Sequence, residues 1–183
     1  GLIPHFQKGR LTGSVIVFGK DVQQKKVNEM AADVGLVFQD FESQLFSTNV
    51  RLEVAFGPEN FELTWEEIDA RVRTWLENVG LEQFGERDPS SLSGGQKQRL
   101  AIASVLALKP KLLSLDEPTT DLDPEGKDHI VRIASMLKKE TDMTIMMAEH
   151  ETERVMQAAD RVVVLKEGTI VIDGTPSRVF SQT

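Results

Sequence analysis

The stretch from Ser91 to Asp123, SLSGGQKQRLAIASVLALKPKLLSLDEPTTDLD, most constrains what this chain can fold into. Ser93 is a good helix N-cap, and Gly94-Gly95 leaves the first backbone N–H groups uncovered. Leu100, Ala103 and Ala107, flanked by Ile102, Val105 and Leu106, then recur at helical spacing. Lys109-Pro110 stops that helix, and Leu112 to Leu115 is short and apolar enough to be a buried strand. Asp116 and Glu117 stand where the strand ends. A helix tip opened by glycines is an anion site, because unpaired donors and the helix dipole point the same way. Open α/β sheets gather ligands beyond the carboxyl ends of their strands. On a regular strand Asp116 and Glu117 would face opposite sides. Both reach one site only because the strand breaks at Pro118.

Around this stretch, strand and helix patterns alternate. Leu11 to Phe18 reads as a strand turned by Gly19-Lys20-Asp21, and Asp21 to Ala32 as a short helix with Val22, Val27 and Met30 on one side. Val34 to Phe38 reads as a buried strand closed by Gln39, and Asn49 to Phe56 as a short helix. Thr64-Trp65-Glu66-Glu67 is a capping box, with Trp65 stapling the helix start and Ile68, Val72, Trp75, Leu76 and Val79 forming its apolar face. Downstream, Glu125 to Lys139 is amphipathic and Thr144 to Ala148 is a third candidate buried strand. Glu151 to Ala158 reads as a helix, then Arg161 to Leu165 and Thr169 to Ile172 as strands joined across Glu167-Gly168. The expected class is α/β, a mostly parallel sheet covered by helices. Residues 48–108 show no strand pattern and read as a helical insertion, leaving 1–47 and 109–183 as the core.

Composition narrows the function classes. The net charge is −8, from 21 basic and 29 acidic residues, which argues against a nucleic-acid partner. The absence of cysteine among the 183 residues removes disulfides and thiolate metal sites. No apolar run approaches the ~18 residues that span a bilayer. Any membrane association is therefore expected to run through a partner, with the chain cytoplasmic. The six methionines read as core filler. His5 and His129 have no context that assigns them a role.

LSGGQ, followed after a helix and a strand by LDEPTTDLD, resembles the signature motif, Walker B motif and D-loop of ATP-binding-cassette (ABC) ATPases. The resemblance runs from Gly1 to about Phe180. It implies a P-loop NTPase-like (RecA-like) core with helices on both sheet faces, a helical subdomain, and ATP with Mg²⁺ as cofactors. Asp116 would hold Mg²⁺ through a water, and Glu117 would polarise the water that attacks the γ-phosphate. His150 resembles the switch-loop histidine that contacts the γ-phosphate. Gln39 resembles the Q-loop glutamine that touches Mg²⁺ or the attacking water and links to a transmembrane partner. Ser93, Gly94, Gly95 and Gln96 would hold the γ-phosphate of ATP bound to a second ATPase subunit, and Asp123 would lie at the dimer seam. The partners implied are that second subunit, identical or not, and an integral membrane subunit. Each residue also has a plainer reading. Asp116, Glu117, Asp121, Asp123 and Glu125 could be a solvated acidic loop, Ser93 a structural cap, and Asp123 an N-cap.

A phosphate-cradling GxxxxGK followed by Ser or Thr is absent; Ser14 to Asp21 (SVIVFGKD) is the nearest approach. GLIPHF at the start resembles the end of the helix that follows such a loop. The chain is thus expected to be a fragment without the first strand and P-loop, inactive alone and marginally stable.

QDFESQLFSTNVRLEVAFGPEN resembles the matching segment of energy-coupling-factor importers of vitamins and transition-metal ions, with Phe41 where Pro is usual and Leu52 where an acidic residue is common. Leu45, Phe46, Val50, Val54 and Phe56 either line a groove for a partner helix or bury the insertion against the core. Two other functions compete with the importer ATPase: a soluble ABC ATPase acting on DNA or ribosomes, and an inactive relic that only pairs with an active partner.

Overall fold

The computed structural model describes residues 9–120, 122–150 and 158–181. The expectations placed on residues 1–6, on Asp121 and on 151–157 fall outside them. The first described elements form a hairpin, β1 (Ile16–Val17) against β2 (Lys20–Asp21). Phe18 (φ 48°) and Gly19 (φ 75°) form its two-residue turn. Positive φ at both positions matches the strand twist, so Lys20 and Asp21 lie in a strand rather than in the expected turn. The helix expected over Asp21–Ala32 is confined to α1 (Val27–Met30). Asp21 Oδ1 accepts from Gln23 N at 3.0 Å, a local turn that competes with helix.

The central sheet is parallel, in the order β3 (Val34–Val37), β4 (Leu112–Asp116), β5 (Thr144–Ala148). Its register sets Val37 beside Leu115 and Asp116 beside Ala148, so all three strands end at one edge. β5 keeps the expected bounds but is not buried as expected. Its residues alternate between exposed and half-buried, and Met146 is 57% exposed rather than core filler. The reason is topological, since β5 is the outer strand among the described residues. β6 (Val162–Lys166) and β7 (Thr169–Gly174) form a separate hairpin turned at Glu167-Gly168. A short helix, α6 (Pro176–Phe180), follows them.

Between β3 and β4 the chain is helical. α2 (Val50–Asn60) starts at Asn49, whose side chain accepts from Leu52 N at 2.9 Å, and runs past the expected end at Phe56. α3 (Trp65–Asn78) has the expected Thr64–Glu67 capping box and buries Ile68, Val72, Trp75 and Leu76. Trp65, however, is 68% exposed rather than packed down over the helix start. α4 (Gly94–Leu106) packs against α2, α3 and β3 and buries Leu100, Ala101, Ile102, Ala103 and Leu106. A Cβ on Gly35 of β3 would sit 2.3 Å from Val105 Cγ1, so glycine is what lets α4 approach the sheet this closely. α5 (Pro124–Glu140) adds Ile130, Ile133 and Leu137 to the same continuous core. At the far end of the sheet, buried Asp33 pairs with Lys20 and, at 2.8 Å, with Lys111, tying the first hairpin to β3 and β4.

Candidate active site

β4 carries Asp116 to the sheet edge, and the backbone then turns sharply. Glu117 has φ 46°, a left-handed conformation rare for a non-glycine residue, which breaks strand alternation. Its N–H still donates to Ala148 O at 2.9 Å, so the carboxylate is held over the tips of β4 and β5. Three side chains converge on it. Gln39 Nε2 donates to Oε2 at 3.0 Å, Thr120 Oγ1 donates to the same oxygen at 3.2 Å, and His150 Nε2 lies 2.7 Å from Oε1. Gln39, Glu117 and His150 come from the ends of three adjacent strands, 78 and 33 residues apart in sequence. The Glu117 side chain is 23% exposed and that of His150 81% exposed, so the cluster is open at the edge.

Asp116 is exposed, and its carboxylate has no hydrogen bond or ion pair to another described residue. Among the described residues no three carboxylates or histidines cluster as an all-protein metal cage. That donor set suits Mg²⁺ carried in with phosphate. This ion binds through one or two carboxylates and completes its octahedron with waters and phosphate oxygens. With its nitrogen engaged by Glu117, Gln39 retains its carbonyl oxygen as a further hard donor.

The glycine-rich tip of α4 is a separate feature. Ser93 Oγ accepts from Gln96 N at 3.4 Å, and Gln96 Oε1 accepts from Ser93 N at 2.9 Å, a reciprocal cap. Ser93 and Gly94 are exposed, and Gly95 and Gln96 are half-exposed, so the tip is not sealed inside its own subunit. A Cβ on Gly94 would meet nothing within 4 Å, and one on Gly95 would come only within 3.9 Å of Leu122. The chain's own packing therefore needs neither glycine, although each costs helix stability relative to alanine. Bare N–H groups for something brought from outside would account for both. No hydrogen bond joins this tip to the Glu117 cluster among the described residues. Asp123 caps α5, accepting from Gly126 N at 2.8 Å, as its plainer reading had it.

The site also uses residues that sequence reasoning missed. Glu149 accepts from Thr119 N at 2.9 Å and from Thr119 Oγ1 at 2.5 Å, bracing the turn that carries Glu117. Thr120 and Thr119 are adjacent to the carboxylates, yet no spacing rule marks a threonine as their partner. Val50 and Val54 are fully buried in the core, whereas Phe46 (63% exposed) and Phe56 (45%) meet edge to face at the surface, ring centroids 4.6 Å apart.

A parallel sheet with helices packed on it, and polar side chains gathered on the Glu117 carboxylate at its strand tips, is an α/β architecture of the P-loop ATPase type. The ABC transporter family model matches residues 5–120, and the chain belongs to that family. It is 53% identical over 182 residues to a putative ABC transporter ATP-binding protein of Caldanaerobacter subterraneus, covering 100% of this chain and 32% of the relative. Over 175 residues it is 45% identical to the energy-coupling factor transporter ATP-binding protein EcfA2 of Clostridium perfringens, covering 93% of this chain and 61% of that one. The solved structure of cbiO1 from Clostridium perfringens, part of the ABC transporter complex cbiONQ, superposes with a TM-score of 0.85 at 38% identity, covering 93% of this chain and 69% of that chain. The chain thus spans about a third of one curated relative and three fifths of the other.

Proposed function

We propose that the chain is the catalytic part of an ATP-hydrolysing subunit of an importer of the energy-coupling-factor type, taking up a vitamin or a metal ion. The observation that carries this reading is the convergence of Gln39, Thr120 and His150 on the Glu117 carboxylate at one sheet edge. Likeness to EcfA2 and to cbiO1 supports the importer type. Residues 1–47 and 109–183 form the ATPase core, and 48–108 the helical subdomain that carries the signature.

On this reading Glu117 orients and polarises the attacking water. Gln39 and Thr120 hold its carboxylate in place, and His150 stands where it can reach a γ-phosphate oxygen. Asp116, with Gln39, would hold Mg²⁺, which would supply positive charge against the charge developing on the phosphate. Ser93, Gly94, Gly95 and Gln96 meet the ATP of a second subunit, so two copies, or two related subunits, enclose the nucleotide. Asp123, capping α5 beside that seam, orders it. The Phe46–Phe56 pair is the contact for a helix of the integral membrane subunit, which keeps the ATPase peripheral on the inner membrane face. Among the described residues no helix is long and apolar enough to cross a membrane.

The 183 residues hold no GxxxxGK followed by Ser or Thr, hence no P-loop lysine. By themselves they are expected neither to bind ATP tightly nor to hydrolyse it. Measurable ATPase activity from this chain alone would overturn that. In the intact protein assembled with its partners, Glu117→Gln is expected to cut hydrolysis at least ~100-fold while ATP binding persists. Undiminished turnover would refute the assignment.

A further inference from the structure

Gln98 lies within α4, five residues beyond Ser93 and about 7.5 Å further along the helix axis. It is 1% exposed, on the helix that also buries Leu100, Ala101 and Ile102. Its Nε2 donates to the carbonyl of Pro118, the residue directly after Glu117, while its Oε1 is buried with no partner among the described residues. A buried amide satisfied on one side only is a net cost, and a methionine or leucine would fill similar volume without it. Packing therefore does not explain the glutamine. The direction of its one side-chain hydrogen bond does.

The turn that holds Glu117 is anchored group by group. Glu117 N is bound by Ala148 O, Thr119 N by Glu149, and Thr120 N by Glu117 O; Pro118 has no N–H. These anchors belong to β5, its end, or the turn itself. The Pro118 carbonyl is the group bound from the other direction, by the helix whose tip carries Ser93 and Gly94. Glu117 sits in a left-handed conformation that persists only when its surroundings hold it there.

We infer that Gln98 is a positioning residue that fixes the Glu117 turn to the signature helix, so that engagement of the glycine tip sets the placement of Glu117. This rests on the ATPase reading above. In that reading the two ends of the link serve different nucleotides, one bound by this subunit and one by its partner. Gln98 then makes hydrolysis at one site depend on occupancy at the other.

The test uses the intact ATPase assembled with its membrane partner. Gln98→Met removes the donor with little change in volume. The expected result is a folded protein with KM for ATP within about twofold of wild type, a kcat lowered about tenfold (about 1.4 kcal/mol in the barrier), and faster amide hydrogen exchange at Thr119 and Thr120. A purely packing role would leave that KM–kcat split and the local exchange unmoved, and a folded variant with wild-type kcat and exchange overturns the inference. Gln98→Leu repeats the comparison if Gln98→Met does not fold. Failure of both to fold makes the amide structural and equally overturns it. Glu117→Gln runs alongside. Hydrolysis lost there but untouched in Gln98→Met defeats the Gln98 inference alone, whereas hydrolysis surviving in Glu117→Gln defeats the ATPase reading itself.

Discussion

His150 Nε2 lies 2.7 Å from Glu117 Oε1, a hydrogen bond between the ends of two neighbouring parallel strands. The exposed imidazole thus occupies one oxygen of the carboxylate while Gln39 and Thr120 share the other. On the proposed ATPase reading the attacking water joins this set at Oε1, which accepts from His150 alone and has a second lone pair free. His150→Ala is therefore expected to leave the fold and nucleotide affinity nearly intact and to lower kcat by about 10²-fold. Steady-state hydrolysis in the assembled transporter measures this, and a kcat within threefold of wild type would remove His150 from the reaction.

At the tip of α4, Gly94→Asp separates fold from function. A Cβ at this position meets no atom within 4 Å, and a carboxylate in the first helical turn favours the dipole. Thermal stability is expected to match or slightly exceed wild type. The same charge would repel a phosphate, so ATP-dependent dimerisation, followed by light scattering, is expected to disappear. Dimerisation that persists would show that the tip is only a cap.

Glu53 is 3% exposed, and its Oε2 accepts from Phe46 N at 3.0 Å and from Ser47 N at 2.8 Å. Glu53→Ala strands two backbone donors and is expected to lower unfolding free energy by about 2–4 kcal/mol. The urea midpoint reports it. A midpoint at the wild-type value would mean that the loop finds other acceptors.

Phe46 is largely exposed, so Phe46→Ala is expected to change stability by less than about 0.5 kcal/mol. Its effect should appear in assembly, as at least a tenfold loss of affinity for the membrane subunit in pull-down titrations. Wild-type affinity would place the docking surface elsewhere.

His129 of α5 lies 3.5 Å from Arg99 Nη1 of α4. Burial first, then the charges of Arg99 and Arg132, hold its pKa below the ordinary histidine value, with Glu125 pulling weakly the other way. The native state thus prefers the neutral ring. Below about pH 6.5 the unfolded chain takes up this proton before the native one does. The contribution to stability is full above that pH, falls as pH drops, and levels off below the native pKa. Unfolding midpoints from pH 8 to 5 should fall more steeply in wild type than in His129→Gln; parallel curves would contradict the coupling.

The carboxylate pair, the glycine tip and the helical segment between β3 and β4 were legible in order of residues, because caps, glycines and apolar spacing act within one or two turns of chain. Length of the early strand was not, since among the described residues β1 pairs with β2 alone, and a strand without further neighbours gains little by continuing. Nor was the exposure of Trp65, whose capping box forms whether or not a staple completes it.

Sequence alone determined which groups the molecule has to work with: Glu117 after an apolar strand, Ser93 before two glycines, His150 after another strand. Only the tertiary structure decided that Gln39, Thr120 and His150 share one carboxylate, that Gln98 reaches the carbonyl beside it, and that Val54 is buried while Phe56 is not. The physical reason is the parallel sheet. Its register brings distant strand ends to one edge, and no local preference of the backbone encodes which ends will meet.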